Sequence, residues 1–262
     1  MKRSTPAAIL GLALCALASG VRAAEPACRA ESGERTLPLV ELYTSEGCSS
    51  CPPADRWLSA MPGGGAVEAT ALAFHVDYWD RLGWPDRFAR PEWSARQRSI
   101  AREARSAVVY TPQVLLQGAD FPGWRGPDAS RAIAGAAAAP ARADIVLEVR
   151  GAGARVAVVA TSRVRDPSEA SGARLAVAWV DSGHVTDVRR GENAGVVLAH
   201  DRVVRALAVG READPSGTMR VDATFERPAD AGRDPQLVAF VERGARREVL
   251  QALMLPLEGC LR

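Results

Sequence analysis

The chain has 262 residues and a formal net charge of +2, because 33 basic side chains nearly balance 31 acidic ones. Such a balance predicts no strongly charged surface for a nucleic acid or for an acidic membrane. The composition therefore gives no support to nucleic-acid binding or to membrane attachment by charge.

Residues 1–24 have the pattern of a secretory signal peptide. Lys2 and Arg3 give a basic start, an uncharged apolar run spans residues 7–18, and Val21-Arg22-Ala23 fits a cleavage site. The run is shorter than the about 20 apolar residues that a membrane helix needs. We predict export to the periplasm or the medium, with no membrane span, and a mature chain long enough for one large domain or two small ones.

The cysteines indicate disulfides. Cys15 leaves with the signal segment, and four cysteines remain. An even number of cysteines in an exported chain favours paired cysteines. Cys48 and Cys51 are close enough to pair with each other, which leaves Cys28 and Cys260 near the two ends of the mature chain. We predict a structural disulfide between Cys28 and Cys260 that ties the termini together.

Residues 25–142 alternate between strand and helix patterns. Apolar, β-rich runs predict strands, and prolines at the start of polar–apolar segments predict first helical turns. The predicted strands lie at residues 37–43, 69–76 and 113–117, and the predicted helices begin at Pro52, Pro91 and Asp128. Strands that alternate with helices predict an α/β sheet.

Residues 143–262 show strand patterns only. Short runs of Val, Ala and Leu are separated by turn signals such as Asp166-Pro167 and Asp234-Pro235. The predicted strands lie at residues 145–149, 155–161, 174–180, 203–209, 219–225, 237–241 and 249–255. Several short strands with regular turns predict an antiparallel β-sandwich-like domain, with a domain boundary near residue 142.

The motif Cys48-Ser49-Ser50-Cys51 is the candidate catalytic site. Two intervening residues let both sulfurs share the first turn of a helix, where the helix dipole stabilises a thiolate. Cys48 is then the nucleophile that attacks a partner's disulfide, and Cys51 resolves the mixed disulfide. Two alternatives remain, a purely structural disulfide and half of a metal site, although structural zinc generally needs four ligands.

A polar segment follows the second predicted strand. If the first two strands are parallel, their carboxyl ends meet at the sheet edge that also carries Cys48. We therefore expect His75, Asp77 or Asp80 to adjust the reactivity of the cysteines or to shuttle a proton. The alternative is a hydrogen-bonded structural cluster that fixes the next loop.

Other candidates lie on both sides of this segment. Tyr78, Trp79 and Trp84 are candidates for an apolar substrate groove, with packing in the core as the alternative. Glu41 lies in an apolar strand, where a charged side chain is costly unless it is paired or used. Glu41 is therefore a candidate to take the proton from Cys51, with a role only at the end of the strand as the alternative.

The segment around the cysteines resembles a known family. Residues 40–55 (VELYTSEGCSSCPPAD), 74–80 and 110–113 are similar to a secreted thioredoxin-like bacterial family, catalogued as domain of unknown function 1223, and residues 190–193 extend the similarity weakly. The resemblance implies a thioredoxin-like fold and a redox role without an established substrate. It also implies that Thr111-Pro112 forms a cis-proline turn that faces the cysteine pair.

These expectations combine into one prediction. The fold is an α/β thioredoxin-like domain with a helical insertion before Pro112, followed by an antiparallel β-sandwich-like domain. The function is that of an exported thiol–disulfide oxidoreductase with no cofactor, whose partners are protein thiols or disulfides and a redox recycling partner. The alternatives are a binding module with a structural disulfide, and a copper-handling protein with Cys48, Cys51 and His75 as ligands.

Overall fold

A computed structural model describes residues 28–61, 69–151, 153–244 and 247–261. The signal peptide predicted at residues 1–24 lies outside them. The described residues form fourteen β-strands and three α-helices. In chain order these are β1 (Cys28–Glu31), β2 (Leu39–Thr44), α1 (Pro52–Ser59), β3 (Thr70–His75), α2 (Pro91–Glu103), β4 (Gln113–Leu116), β5 (Ala119–Asp120), α3 (Ala129–Ala138), β6 (Ala143–Val149), β7 (Arg155–Val164), β8 (Ala173–Ser182), β9 (His184–Asp187), β10 (Val197–His200), β11 (Val203–Glu212), β12 (Thr218–Glu226), β13 (Arg233–Arg243) and β14 (Glu248–Pro256). None of the described helices is long and apolar enough to cross a membrane.

One large mixed sheet runs through the molecule. Its eight strands follow the order β14-β13-β8-β11-β3-β2-β4-β5. Strand β3 is parallel to both of its neighbours, β2 and β11, and the other pairs in this sheet are antiparallel. A four-stranded antiparallel sheet has the order β1-β6-β7-β12, and β9 pairs with β10 alone. Strands from the two halves of the chain therefore share one hydrogen-bonded sheet.

This topology shows that the predicted fold class is wrong. An α/β thioredoxin-like domain followed by a separate β-sandwich-like domain would keep β2, β3 and β4 apart from β8, β11, β13 and β14. Instead β3 pairs with β11, where Ala73 lies opposite Val203. The physical reason is that an unpaired edge of β3 would expose backbone groups, and β11 satisfies them. The boundary predicted near residue 142 falls between α3 and β6, and as a limit between domains it stays a prediction.

The individual elements follow the sequence patterns more closely than the topology does. Each strand and helix predicted from apolar runs and prolines has a counterpart that differs by a few residues at its ends. Strands β1, β5, β9 and β10 were not predicted. They have only two to four residues each, which is too short for an alternating pattern to stand out.

Among the described residues, three apolar cores hold the layers together. Trp179 of β8 lies in the core between the eight-stranded and four-stranded sheets. Phe74 of β3 packs against Trp93 of α2, with ring centroids 5.2 Å apart, on the other side of the large sheet. Leu42 of β2 and Leu58 of α1 belong to the third core. Because successive strand residues point to opposite faces, β2 and β3 carry α1 on one face and α2 on the other.

A buried ionic cluster joins α2 to the large sheet. Arg96 Nη2 of α2 lies 3.1 Å from Glu41 Oε2 of β2 and 2.8 Å from Glu242 Oε2 of β13. The Tyr43 hydroxyl donates a hydrogen bond of 3.0 Å to Glu41 Oε2. Burial alone would lower the pKa of Arg96, but these carboxylates and Tyr43 raise it well above its ordinary value. Arg96 therefore compensates two carboxylates that the fold removes from water.

The predicted disulfide between Cys28 and Cys260 is confirmed. It links β1 to the C-terminal segment across a sequence separation of 232 residues. Cys260 is buried against the core between the two larger sheets. Because the bond closes nearly the whole described chain into a loop, it restricts the unfolded state and stabilises the fold, typically by about 2–4 kcal/mol.

Replacing Arg96 by leucine should destabilise the protein strongly. Arg96→Leu leaves Glu41 and Glu242 buried without a compensating charge, and we expect a loss of about 3–5 kcal/mol in the free energy of unfolding. Urea unfolding followed by circular dichroism measures this loss. The matched control is Arg98→Leu on the exposed side of the same helix, where a change within about 0.5 kcal/mol is expected. Equal effects of the two substitutions would contradict this account of the cluster.

Candidate functional site

Cys48 and Cys51 form a disulfide in the turn between β2 and α1. The Cys51 N–H donates to Cys48 O at 3.1 Å, and the Ala54 N–H donates to Cys51 O at 2.8 Å, so the turn leads directly into the helix. Pro52 and Pro53 occupy the first helical turn, where an N–H is not needed. Both cysteine side chains are 0% exposed. The sequence prediction placed this pair correctly at the start of α1.

Two hydroxyl groups contact the sulfur of Cys48. Thr111 Oγ1 donates to Cys48 Sγ at 3.3 Å, and Ser50 Oγ lies 3.4 Å from the same sulfur. Thr111 Oγ1 in turn accepts a hydrogen bond of 2.8 Å from the indole N–H of Trp79. The peptide bond between Thr111 and Pro112 is cis, as the resemblance implied. These contacts surround Cys48 with groups that can donate hydrogen bonds to a thiolate.

Trp79 covers the turn from one side. It belongs to a 3-10 helix, Asp77–Leu82, that follows β3. A Cβ atom on Gly47 would lie 3.1 Å from Trp79 Cβ, closer than almost all real contacts. A glycine immediately before Cys48 thus allows the tryptophan to approach the backbone of the turn.

A segment from the second half of the chain covers the turn from another side. We call Gly191, Glu192 and Asn193 the strap. Asn193 Nδ2 donates to the carbonyls of Glu46 at 2.8 Å and Cys48 at 3.0 Å. Glu192 Oε2 accepts hydrogen bonds from Ser49, at 3.2 Å from its N–H and at 2.7 Å from its hydroxyl. The strap therefore binds the backbone of the cysteine motif directly.

Gly191 gives the strap its path. Its φ is +77°, a left-handed conformation that favours glycine, and a Cβ atom there would lie 3.3 Å from Trp84 Cβ. The indole N–H of Trp84 donates to Glu46 Oε2 at 2.7 Å. Trp84 thus contacts both the strap and the residue two positions before Cys48.

Five buried titratable residues lie under the turn, and we call them the histidine cluster: Glu46, Asp55, His75, Asp86 and His200. His75 Nδ1 lies 2.7 Å from Asp86 Oδ2, which also accepts the Glu46 N–H at 2.9 Å. His200 Nε2 of β10 lies 3.4 Å from Glu46 Oε1. The rings of His75 and His200 are 4.8 Å apart between centroids. The cluster therefore joins β3, α1 and β10.

Burial and pairing act in opposite directions in this cluster. Burial alone would lower the pKa of His75, but the charge and hydrogen bond of Asp86 outweigh it and raise the pKa. Burial alone would raise the pKa of Asp86, but the same pairing with His75 lowers it. Burial raises the pKa of Asp55, and the nearby His200 and His75 offset only part of the change. The His75–Asp86 contact is therefore a buried ion pair when His75 is protonated, and Asp55 is the carboxyl that protonates more readily.

The segment after β3 divides between this cluster and α2. Asp77 forms hydrogen bonds with Ser94 of α2, through its own N–H at 3.1 Å and through its carboxylate. The Tyr78 hydroxyl donates to Gln97 Oε1 at 3.1 Å. Asp80 Oδ1 accepts the Asp86 N–H at 3.1 Å. Of the predicted residues, His75 therefore belongs to the histidine cluster and Asp80 adjoins it, whereas Asp77 and Tyr78 attach the 3-10 helix to α2.

Glu41 lies on the opposite face of the sheet from α1. Its neighbours Val40 and Leu42 pack in the core that contains α1, whereas Glu41 itself binds Arg96 of α2. Its contacts do not support the predicted proton transfer from Cys51. Asp55, buried on α1 four residues after Cys51, is one of the carboxyl groups on the cysteine side of the sheet. This spacing puts both side chains on one helix face and was a signal available in the sequence.

The sequence patterns also did not identify Asp86, His200, Glu192 and Asn193 as parts of the site. The first two lie far along the chain from the motif, and only the fold brings them together. The last two belong to residues 190–193, where a polar sequence with a glycine interrupts the strand patterns. That interruption was the signal for a turn that contacts another part of the chain.

The copper alternative finds no support in this arrangement. Within the ranges that the structure describes, no group of three or more His, Cys, Asp or Glu side chains is placed to hold a metal ion. Cys48, Cys51 and His75 therefore do not form a ligand set there.

A cavity of about 1020 Å³ lies between α2 and β4–β5, lined in part by Ile100, Tyr110 and Gln113, and the cysteine pair does not line it.

Removing the charge of Asp86 should lower the pKa of His75. In Asp86→Asn the negative charge that raises the pKa of His75 is gone, so the lowering effect of burial prevails. NMR titration of the His75 ring measures this fall in pKa. The pairing stabilises the fold while Asp86 is ionised and His75 is protonated. The stability lost in Asp86→Asn should therefore be greatest between about pH 4 and pH 6.5, and it should shrink as the pH rises through the raised pKa of His75. Asp230→Asn, at a half-exposed carboxylate, is the control, and an unchanged His75 titration in Asp86→Asn would contradict the pairing.

Solved structures similar to this chain come from two bacteria. A crystal structure of a protein from Agrobacterium tumefaciens is 24% identical, with a TM-score of 0.61, and the match covers 86% of this chain and 96% of that one. HBP35 of Porphyromonas gingivalis is 12% identical, with a TM-score of 0.62, and the match covers 86% of this chain and 76% of that one. At such identities the similarity concerns the fold alone.

No curated protein sequence matches this chain. The family described as "Protein of unknown function (DUF1223)" matches residues 39–242, which is more than half of the chain. The matched range includes the cysteine motif, the cis-proline turn and the strap, which confirms the family that the motif suggested. The chain belongs to the DUF1223 family of proteins of unknown function.

Proposed function

We propose that the Cys48–Cys51 pair exchanges disulfides with thiols or disulfides of partner molecules. The observation that carries this proposal is the pair of hydroxyl groups, from Thr111 and Ser50, at the sulfur of Cys48. A disulfide that only braces a loop gains little from hydrogen-bond donors on one sulfur. A nucleophilic sulfur gains reactivity, because donors stabilise the thiolate that attacks.

The exchange balances within the two cysteines and the partner. The Cys48 thiolate attacks one sulfur of a partner disulfide, which breaks and releases one partner thiolate. Cys51, as a thiolate, then attacks Cys48 in the mixed disulfide and releases the second partner thiolate. The partner gains two electrons and the Cys48–Cys51 pair loses two, and the reverse sequence oxidises a partner. We assign to Asp55, four residues after Cys51 on α1, the role of accepting the proton of Cys51.

Exchange requires the cover of the turn to move. Both cysteine side chains are buried, under Trp79 on one side and the strap on the other. Val109 and Tyr110, each 37% exposed and directly before Thr111, offer apolar contact to a partner that displaces this cover. Trp79 and Trp84 lie beside the cysteine turn that this movement would uncover. They fit the predicted substrate groove better than Tyr78, which is attached to α2.

The proposal includes an oxidising compartment. Two disulfides occur in the described part of the chain, and such bonds persist outside the cytosol, in the periplasm or the medium. A site of this kind needs a redox partner that restores its starting state after each exchange.

The second candidate is a binding module in which Cys48–Cys51 is a structural disulfide. The complete burial of both cysteines favours it, and so do the hydrogen bonds of Asn193 to the turn. In such a module the disulfide would fix the turn, and recognition would fall to the β-rich part of the chain.

Reduction of the native protein separates the two candidates. If the pair exchanges, glutathione at neutral pH should reduce Cys48–Cys51 while the structural Cys28–Cys260 bond stays intact as an internal reference. Alkylation of free thiols followed by peptide mass spectrometry measures both bonds in one sample. Cys51→Ala should then trap mixed disulfides through Cys48, and Cys48→Ala/Cys51→Ala should trap none. A Cys48–Cys51 bond that is reduced only after unfolding would favour the structural candidate.

The hydroxyl of Thr111 should control the reactivity of Cys48. Thr111→Val keeps the shape of the side chain but removes the donor, and we expect a severalfold slower alkylation of reduced Cys48 at pH 7, since one hydrogen bond to a charged group contributes about 1.5–3 kcal/mol at most. Iodoacetamide kinetics over a range of pH measure the rate and its pH midpoint. Thr111→Ser retains the hydroxyl and should restore both. Equal rates in the Val and Ser variants would remove Thr111 from the mechanism.

A further inference from the structure

Glu192 holds an exposed carboxylate against the cysteine motif from the second half of the chain. Its Oε2 accepts two hydrogen bonds from Ser49, the residue after Cys48. These bonds lower the pKa of Glu192, so the group is ionised at neutral pH. A negative charge therefore lies at the amino end of the turn that leads into α1.

This position affects the two redox states of the pair differently. N–H and O–H donors next to a thiolate stabilise it, and the N–H and hydroxyl of Ser49 belong to the residue directly after Cys48. Glu192 accepts hydrogen bonds from both of these donors and adds a like charge at the residue next to Cys48. In the disulfide both sulfurs are neutral, so neither of them repels the carboxylate of Glu192.

The strap holds Glu192 in place without help from Ser49. Asn193 Nδ2 is bonded to the carbonyls of Glu46 and Cys48. The backbone of Val188 accepts the Gly195 N–H at 2.7 Å and donates to Val196 O at 3.0 Å, which closes the loop that carries the strap. A substitution that only neutralises residue 192 should therefore leave the strap bound.

We infer that Glu192 is a positioning residue that shifts the Cys48–Cys51 equilibrium toward the disulfide by placing its charge beside Ser49. This inference rests on the proposed exchange function and adds its regulation by the second half of the chain. Glu46, the other carboxylate next to the motif, is buried and bonded to Trp84, so its charge is held by a separate contact.

The equilibrium that tests the inference is exchange with glutathione. Two molecules of reduced glutathione give two electrons to Cys48–Cys51 and become glutathione disulfide. Of their two protons, one goes to the Cys51 thiol and the other is released to solvent when Cys48 is a thiolate. In Glu192→Gln the acceptor oxygen for Ser49 remains but the charge is gone. We expect the equilibrium constant for reduction to rise about 3- to 10-fold, which corresponds to about 15–30 mV.

Two further readouts identify the effect as electrostatic. The pH midpoint for alkylation of reduced Cys48 should fall in Glu192→Gln, which a merely structural change in the strap does not predict. The difference between wild type and variant should also shrink at high salt, because the carboxylate is exposed and its field is screened. Glu226→Gln, at an exposed carboxylate on β12, is the matched control and should equal the wild type.

The outcomes separate this inference from the proposed function. Equal equilibrium constants and equal alkylation midpoints for wild type and Glu192→Gln, with the pair reducible in both, would overturn the inference and leave the exchange function standing. A pair that resists glutathione in both native proteins would overturn the exchange function, and the inference with it. A rise in the constant together with a lower midpoint supports both.

Discussion

The short parallel pairing between β3 and β11 determines how this molecule is assembled. Ala73 donates its N–H to Arg202 O at 2.8 Å, and Ala73 lies opposite Val203. Because β9 and β10 directly precede β11 along the chain, this contact brings His200 and the strap over the turn that carries Cys48. Arg202 adds a hydrogen bond of 2.8 Å to Met61 O, just beyond the end of α1. The candidate site is thus built by both halves of the chain, and neither half contains it alone.

The alternation of side chains along β2 separates two groups of buried charges. Glu41 faces α2 and is compensated by Arg96, whose second partner, Glu242, comes from β13. The histidine cluster lies on the α1 side, where His75 and Asp86 compensate each other. Since a buried charge without a partner destabilises a fold by several kcal/mol, each group has to be complete on its own face. The face of the sheet, more than distance along the chain, therefore decides which acid can act on the cysteines.

The sequence patterns predicted what depends on local order and missed what depends on distant pairing. Apolar runs and prolines located β2, β3, α1 and α2, and simple elimination paired Cys28 with Cys260. Nothing near Ala73 indicates that β11 will lie beside β3, since any strand with a free edge could pair there. The predicted fold class is wrong for this reason. Glu41, the predicted proton acceptor for Cys51, lies on the α2 face because a shift of one residue in a strand reverses the face. Glu192 acts through the fold alone, so only the weak similarity at residues 190–193 pointed to it.

The burial of the cysteine pair is consistent with exchange only if access is part of the chemistry. Trp79 reaches the sulfur of Cys48 through Thr111, whereas Asn193 holds the backbone of the same residue. A partner that displaces Trp79 removes a donor from the Thr111 hydroxyl, and one that displaces the strap removes the Glu192 charge from Ser49. Displacement of the strap would therefore expose Cys48 to a partner and, by removing the Glu192 charge, would also stabilise the Cys48 thiolate. Movement of the strap, whether it is spontaneous or caused by a partner, therefore exposes the disulfide to thiols such as glutathione, which reconciles its complete burial with a redox role.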